Sequence, residues 1–169
     1  LTAGTLALAI STASSGVYSA ELEEIIVTAQ KRAESLQDVP ISMSALSGSS
    51  VKDNGIHSFQ DLSGYVPNLS IQENAVNSII TMRGIGIGSN QSFEQSVGIY
   101  VDGVHFGKSR QVRTGLFDIE QLEVLRGPQG ILFGKNTLAG AINVTTASAN
   151  VGDEMSGGID VSQESYNGQ

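Results

Sequence analysis

The 169 residues include no Cys and no Trp, two His, three Pro, and nine Lys and Arg against seventeen Asp and Glu. Without Cys there is no disulfide scaffold, no thiolate metal site and no Cys nucleophile. His57 and His105 cannot build a His-rich metal centre, and each reads as structural rather than as a ligand. A formal charge of -8 argues against nonspecific binding to nucleic acid. Catalytic signatures are also missing: there is no P-loop, no G-x-S-x-G and no H-E-x-x-H. The carboxylates are scattered, and no strong pattern pairs two of them for acid/base work. Asp118, Glu120 and Glu123 lie close in sequence, but a helix N-cap and surface roles account for them. Gly84-Ile85-Gly86-Ile87-Gly88 follows a strand-like run, yet it lacks G-x-G-x-x-G spacing and opens no apolar helix, so it reads as a flexible loop. Neither a cofactor nor a metal is expected.

What is present points to a folded domain. Leu, Ile, Val and Phe make up 47 of the 169 residues, enough for a core of ordinary size. Twenty Gly without low complexity imply many tight turns and close backbone approaches rather than long helices.

The uncharged stretch 1–20 opens on Leu1 instead of Met and holds a short apolar run, Leu6 to Ile10, followed by small residues. We read it as part of a secretory signal cut after Ser19 or Ala20, the plain alternative being a disordered tail. Its apolar run is far short of the about 20 residues a membrane helix needs.

Residues 21–37 carry Ile25-Ile26-Val27-Thr28, β-branched and flanked by charge. Two readings stay open here: the first strand of the domain, or an extended peptide that adds to another protein's sheet edge. In either case Ile25 and Val27 share one face and Ile26 and Thr28 the other.

A domain is expected from Asp38-Val39-Pro40-Ile41 to about residue 150. Within it, Ser47 to Asn54 predicts a short helix stopped at Gly55. A second short helix is predicted to start at a capping-box-like Ser58-Phe59-Gln60-Asp61 and to end at Pro67. Strands are predicted over Ser78 to Arg83, Leu122 to Arg126 and Ala141 to Thr146. Val97 to Phe106 predicts a hairpin turning at Asp102-Gly103. Phe117 to Gln121 predicts a helical turn with Asp118 as N-cap, and Gly127-Pro128-Gln129-Gly130 turns the chain. The class is α+β, with short helices, a mixed sheet and Gly-rich loops. In the acidic tail, Gly158 to Glu164 alternates apolar and polar, as a half-buried strand or a membrane-barrel strand does.

Sequence words then add a family. Leu122-Glu123-Val124-Leu125-Arg126-Gly127-Pro128-Gln129-Gly130, Leu132-Phe133-Gly134-Lys135-Asn136 and Ala139-Gly140-Ala141-Ile142-Asn143-Val144 resemble the signature of the plug domain of TonB-dependent outer-membrane receptors. So do Asp38-Val39-Pro40-Ile41-Ser42, Met82-Arg83-Gly84 and Gly98-Ile99-Tyr100-Val101-Asp102-Gly103-Val104. Glu24-Ile25-Ile26-Val27-Thr28-Ala29 looks like the family's TonB box.

The resemblance implies an importer of the Gram-negative outer membrane, taking up ferric siderophores or another scarce nutrient. In such a receptor the plug sits inside a barrel of about 22 strands. The box would be offered to TonB in the periplasm, and proton-motive force would drive plug rearrangement. Residues 151–169 would then begin a truncated β-barrel, and the chain would be a receptor fragment. Arg83 and Arg126 would pair with acids of the chain's own barrel wall and lock the plug, the bland alternative being two solvated arginines. The loop bearing Ile87, Ser89, Asn90, Gln91 and Phe93 would face substrate. The rival to a receptor is a free periplasmic binding or adaptor domain that recruits a partner through residues 23–29.

Overall fold

A computed structural model of the chain describes residues 25–28, 31–75, 77–86 and 94–149. The signal segment expected at 1–20 and the barrel start expected at 151–169 lie outside the described residues. Three small sheets form. β1 (Ile26–Val27) and β2 (Glu34–Ser35) make an antiparallel ribbon. β4 (Leu69–Glu73), β5 (Ser78–Met82) and β6 (Ile85–Gly86) make an antiparallel three-stranded sheet. The central sheet has five strands in the order β3 (Met43–Ser47), β9 (Ile119–Arg126), β10 (Gly140–Thr146), β7 (Val97–Val101) and β8 (Val104–His105). Only the β7–β10 pairing in it is parallel. Short helices α1 (Gly48–Asp53) and α2 (Gly130–Phe133) and two 3-10 turns, Gln60–Gly64 and Ser109–Arg113, complete the described elements. This is the mixed α+β class that the residue pattern implies.

The central sheet is apolar on both faces. Side chains alternate along a strand, so in β9 Leu122 and Val124 enter one core cluster and Leu125 the other. The larger cluster lies under α1, the first 3-10 turn and the β4–β5 pair, with Phe59, Leu62, Ile80 and Met82 at or below 1% exposure. The smaller gathers Val27, Val39, Met43, Tyr100, Leu125 and Ala141 on the opposite face. That face is covered by the N-terminal residues and by Phe133 of α2.

Local chemistry fixes the turns. Asp102 and Gly103 have φ of 50° and 78°, the type I′ geometry that suits a tight hairpin. The Asp102 carboxylate also accepts from Thr146 N and Oγ1 at 2.9 and 2.8 Å, tying the hairpin to the end of β10. Ser47 caps α1 by accepting from Ser50 N, and Gly55 beyond its end has φ of 63°. The expected second helix is the 3-10 turn Gln60–Gly64. Its box works in one direction: Asp61 accepts from His57 N, Ser58 N and Ser58 Oγ at 2.8–2.9 Å. Burial pushes the Asp61 carboxyl up, but these donors outweigh it and hold the pKa below the ordinary value.

One expectation fails. Phe117 to Gln121 is no helical turn, and Asp118 is no N-cap: Asp118 has φ of 50°, and β9 starts directly after it. Pairing decides this, because β9 lies between β3 and β10 and forms ladders with both. The gain from two ladders exceeds what one capped turn supplies. The strands β3 and β4 also formed where no strand was expected.

Gly140 sits at the crossing of the layers, where a Cβ would run into Met82 Sδ and the Leu125 carbonyl oxygen. Gly140→Ala should therefore destabilise the fold by about 1–3 kcal/mol through overpacking. Gly64→Ala, where a Cβ meets nothing within 4 Å, should stay within about 0.5 kcal/mol of the parent. Urea denaturation of the two variants checks the contrast.

Candidate functional site

Of the segment read as a partner-binding box, Glu24 and Ala29 lie outside the described residues, and Ile25 to Thr28 are within them. The alternation holds: Val27 is 1% exposed and Ile26 45%. The segment has a strand neighbour close in sequence. Ile26 pairs with Ser35 and Val27 with Glu34, and Leu36 N donates to Ile25 O at 3.0 Å. The ribbon then lies on the second face of the central sheet. Val27 packs into the smaller core cluster, a burial that contributes about 1.5–3 kcal/mol.

Beneath the segment sits an acid that sequence reasoning placed on the surface. Glu123 is fully buried in β9, between Ala45 of β3 and Asn143 of β10. Its carboxylate accepts from Thr28 N at 2.5 Å, Gln121 Nε2 at 3.2 Å and Asn143 Nδ2 at 2.9 Å. Gln121 Nε2 also donates to Ile26 O at 2.7 Å. A buried carboxylate is costly unless such donors replace water. Here one donor is the backbone of the N-terminal segment itself. The sequence did hold a signal: Glu123 interrupts the apolar run Leu122-Val124-Leu125, where a surface residue would be out of place. Nearby, the Tyr100 hydroxyl donates to Phe133 O, its ring packs on Phe133 at 4.8 Å, and burial pushes the phenol's pKa up.

The fold brings Arg83 and Arg126 to one corner. Arg83 N donates to Asn68 O at 2.8 Å, and Arg126 Nη1 reaches Pro67 O at 3.5 Å. A Cβ on Gly127, whose φ is 107°, would lie 3.5 Å from Arg83 Nη1. The two side chains differ in their ties. Arg126 donates from Nε to Ser42 Oγ at 3.1 Å and from Nη2 to Met43 O at 3.0 Å, stitching the end of β9 to the start of β3. The exposed Arg83 guanidinium has no acidic or carbonyl partner among the described residues. Ile87, Ser89, Asn90, Gln91 and Phe93, expected to face substrate, all lie outside the described residues. Their flank is tied down by Lys135 Nζ, which donates to Glu94 Oε1 at 2.9 Å; that bond holds the Glu94 carboxyl below its ordinary pKa. Among the described residues no group of three or more His, Asp or Glu could hold a metal ion. No helix among them is long and apolar enough to cross a membrane, which says nothing of a β-barrel.

Residues 35–141 match the TonB-dependent Receptor Plug Domain family. The pesticin receptor of Yersinia pestis is 32% identical over 125 residues, covering 72% of this chain and 18% of that protein. The iron-regulated outer membrane virulence protein of Vibrio cholerae is 30% identical over 137 residues, covering 73% of this chain and 20% of that protein. Among solved structures, the ferric yersiniabactin uptake receptor FyuA from Yersinia pestis superposes with a TM-score of 0.58 at 35% identity, covering 64% of this chain and 17% of that one. The chain thus spans a fifth or less of the length of these relatives.

The unequal ties of the two arginines give a test. Arg126→Ala removes the donor to the partly buried Met43 carbonyl and two donors to exposed oxygens, and should cost about 1–2 kcal/mol. Arg83→Ala should change stability by no more than about 0.5 kcal/mol. Denaturation of both variants of this chain would expose any error, since equal losses would contradict the asymmetry.

Proposed function

Because the chain belongs to the TonB-dependent receptor plug domain family of the Gram-negative outer membrane, we propose that it is the gate of a nutrient importer, closing the lumen of a barrel encoded in the same receptor. The observation that carries this reading is the plug-family match over residues 35–141 together with the likeness to FyuA. The plug does not itself transform a substrate; it admits or excludes one. The substrate class we assign is ferric siderophores, in keeping with the ferric yersiniabactin that FyuA takes up. Another scarce nutrient is the alternative cargo.

Three parts of the chain take roles in this scheme. Residues 24–29 form the box offered to TonB in the periplasm. Their backbone suits strand addition, in which main-chain hydrogen bonds give affinity and alternate side chains give selectivity. Arg83 has a guanidinium that nothing among the described residues occupies, so it is the better placed of the two arginines to fork onto a barrel-wall carboxylate. Arg126 holds the corner from which Arg83 reaches. The loop 87–93 faces incoming substrate from the outer side.

Uptake and binding by the full-length receptor test the proposal together. In iron-starved cells the parent should import at least one ferric siderophore from a panel. Ile26→Pro, which deletes a main-chain donor and restricts φ, should bind that siderophore normally and lose energised uptake. Loss of binding along with uptake would reject the box assignment. Failure to import any ferric siderophore, with another scarce nutrient taken up instead, would reject the substrate class.

A further inference from the structure

We propose that Glu123 is the latch of the N-terminal segment: its buried carboxylate holds residues 25–28 on the plug, and the segment becomes available to a partner only when Thr28 N–H leaves it. The partner side of this inference rests on reading residues 24–29 as a partner-binding box; the latch itself does not.

The geometry has three features that a merely structural acid would not need. First, Thr28 N donates at 2.5 Å to Oε1, whereas Oε2 is held separately by Asn143 Nδ2 at 2.9 Å. The carboxylate therefore stays oriented by Asn143 when the segment departs. Second, Gln121 Nε2 bridges the two partners, donating both to Glu123 Oε1 and to Ile26 O. The same amide holds the segment and its anchor. Third, the segment is itself the lid over Glu123. While it is docked the carboxylate is fully buried, and a buried carboxylate needs every donor it has. When the segment lifts, its departure opens the site and water can replace Thr28 N–H. Both states satisfy the acid, one with a protein donor and one with solvent. Such an arrangement has two defined positions rather than a gradual fraying.

Docking also conflicts with strand addition. The Ile25 and Ile26 carbonyls are occupied by Leu36 N and Gln121 Nε2, and Val27 is buried. A sheet edge of another protein needs those main-chain groups free. The docked segment is therefore withheld from any such partner, and the latch sets the fraction of time it is offered.

The test uses the full-length receptor with Ile26→Cys as a single spin-labelling site, chosen because Ile26 is exposed in the docked ribbon. A second preparation carries the label at the exposed Gln72 in β4 to report on the plug fold. The parent should show a restrained spectrum at position 26. Glu123→Met, which fills the space without an acceptor, should raise the released-to-docked ratio roughly ten- to hundred-fold, the value of a hydrogen bond to a charged group. Glu123→Gln, which keeps an acceptor, should fall between the two. A position-26 spectrum as restrained in Glu123→Met as in the parent, with the Gln72 spectrum unchanged, would overturn the latch. If Glu123→Met alters the Gln72 spectrum, Gln121→Ala decides instead: a larger released component supports the latch, and none overturns it. Capture by the purified periplasmic domain of TonB is measured on the same variants. Release with increased capture supports both readings. Release without increased capture leaves the latch standing and removes TonB as the partner of this segment.

Discussion

A sheet with apolar side chains on both faces must be covered twice, and the rest of this fold follows from how those two covers are supplied. The larger face receives α1, the 3-10 turn Gln60–Gly64 and the small β4–β5–β6 sheet. The second receives the β1–β2 ribbon, Val39, Ile41 and Phe133. A short plug has little chain to spare for a second cover. It uses the segment that, in the proposed function, must also leave.

That double use explains the chemistry found beneath the ribbon. A wholly apolar second face would hold the N-terminal residues through burial alone. With Glu123 and Asn143 placed there, the contact instead depends on donors that water can replace. The Thr28 N–H bond to the carboxylate favours the docked ribbon, and water taking its place offsets part of what lifting it costs. Val27 and Ile25 favour docking as well, since their burial is lost on release. In the proposed latch, a hydrogen bond that water can replace and a few buried apolar side chains together set how readily this cover lifts.

At the opposite corner the fold is stitched rather than detachable. Arg126 spans β9, β3 and the Pro67 turn with hydrogen bonds to two carbonyls and a hydroxyl. Its neighbour Arg83 follows β5 with a positive φ of 51°, and Gly84 after it has φ of 77°. This turn throws the Arg83 side chain outward while fixing its backbone on Asn68. Two arginines in matching Arg-Gly contexts thus have different surroundings, one hydrogen-bonded within the fold and one exposed.

Much of this was written in the sequence because it depends on near neighbours. Asp102-Gly103 demands a type I′ turn, Ser47 and Gly55 bracket a helix, and the run Leu122-Glu123-Val124-Leu125-Arg126-Gly127-Pro128 carries the family. The alternation of Ile25, Ile26, Val27 and Thr28 set which side chains point inward, whatever covered them. Other features depended on residues far apart in the chain, and only the tertiary structure decided them. Asp118 looks like an N-cap until β9 is drawn out between β3 and β10. Glu123 looks like a surface acid until Thr28, 95 residues earlier, donates to it. Arg126 looks like the twin of Arg83 until Ser42 and Met43 take up its guanidinium. Propensity and period act over a few residues, whereas the burial of a charge and the partner that satisfies it are set by which strands the chain brings side by side.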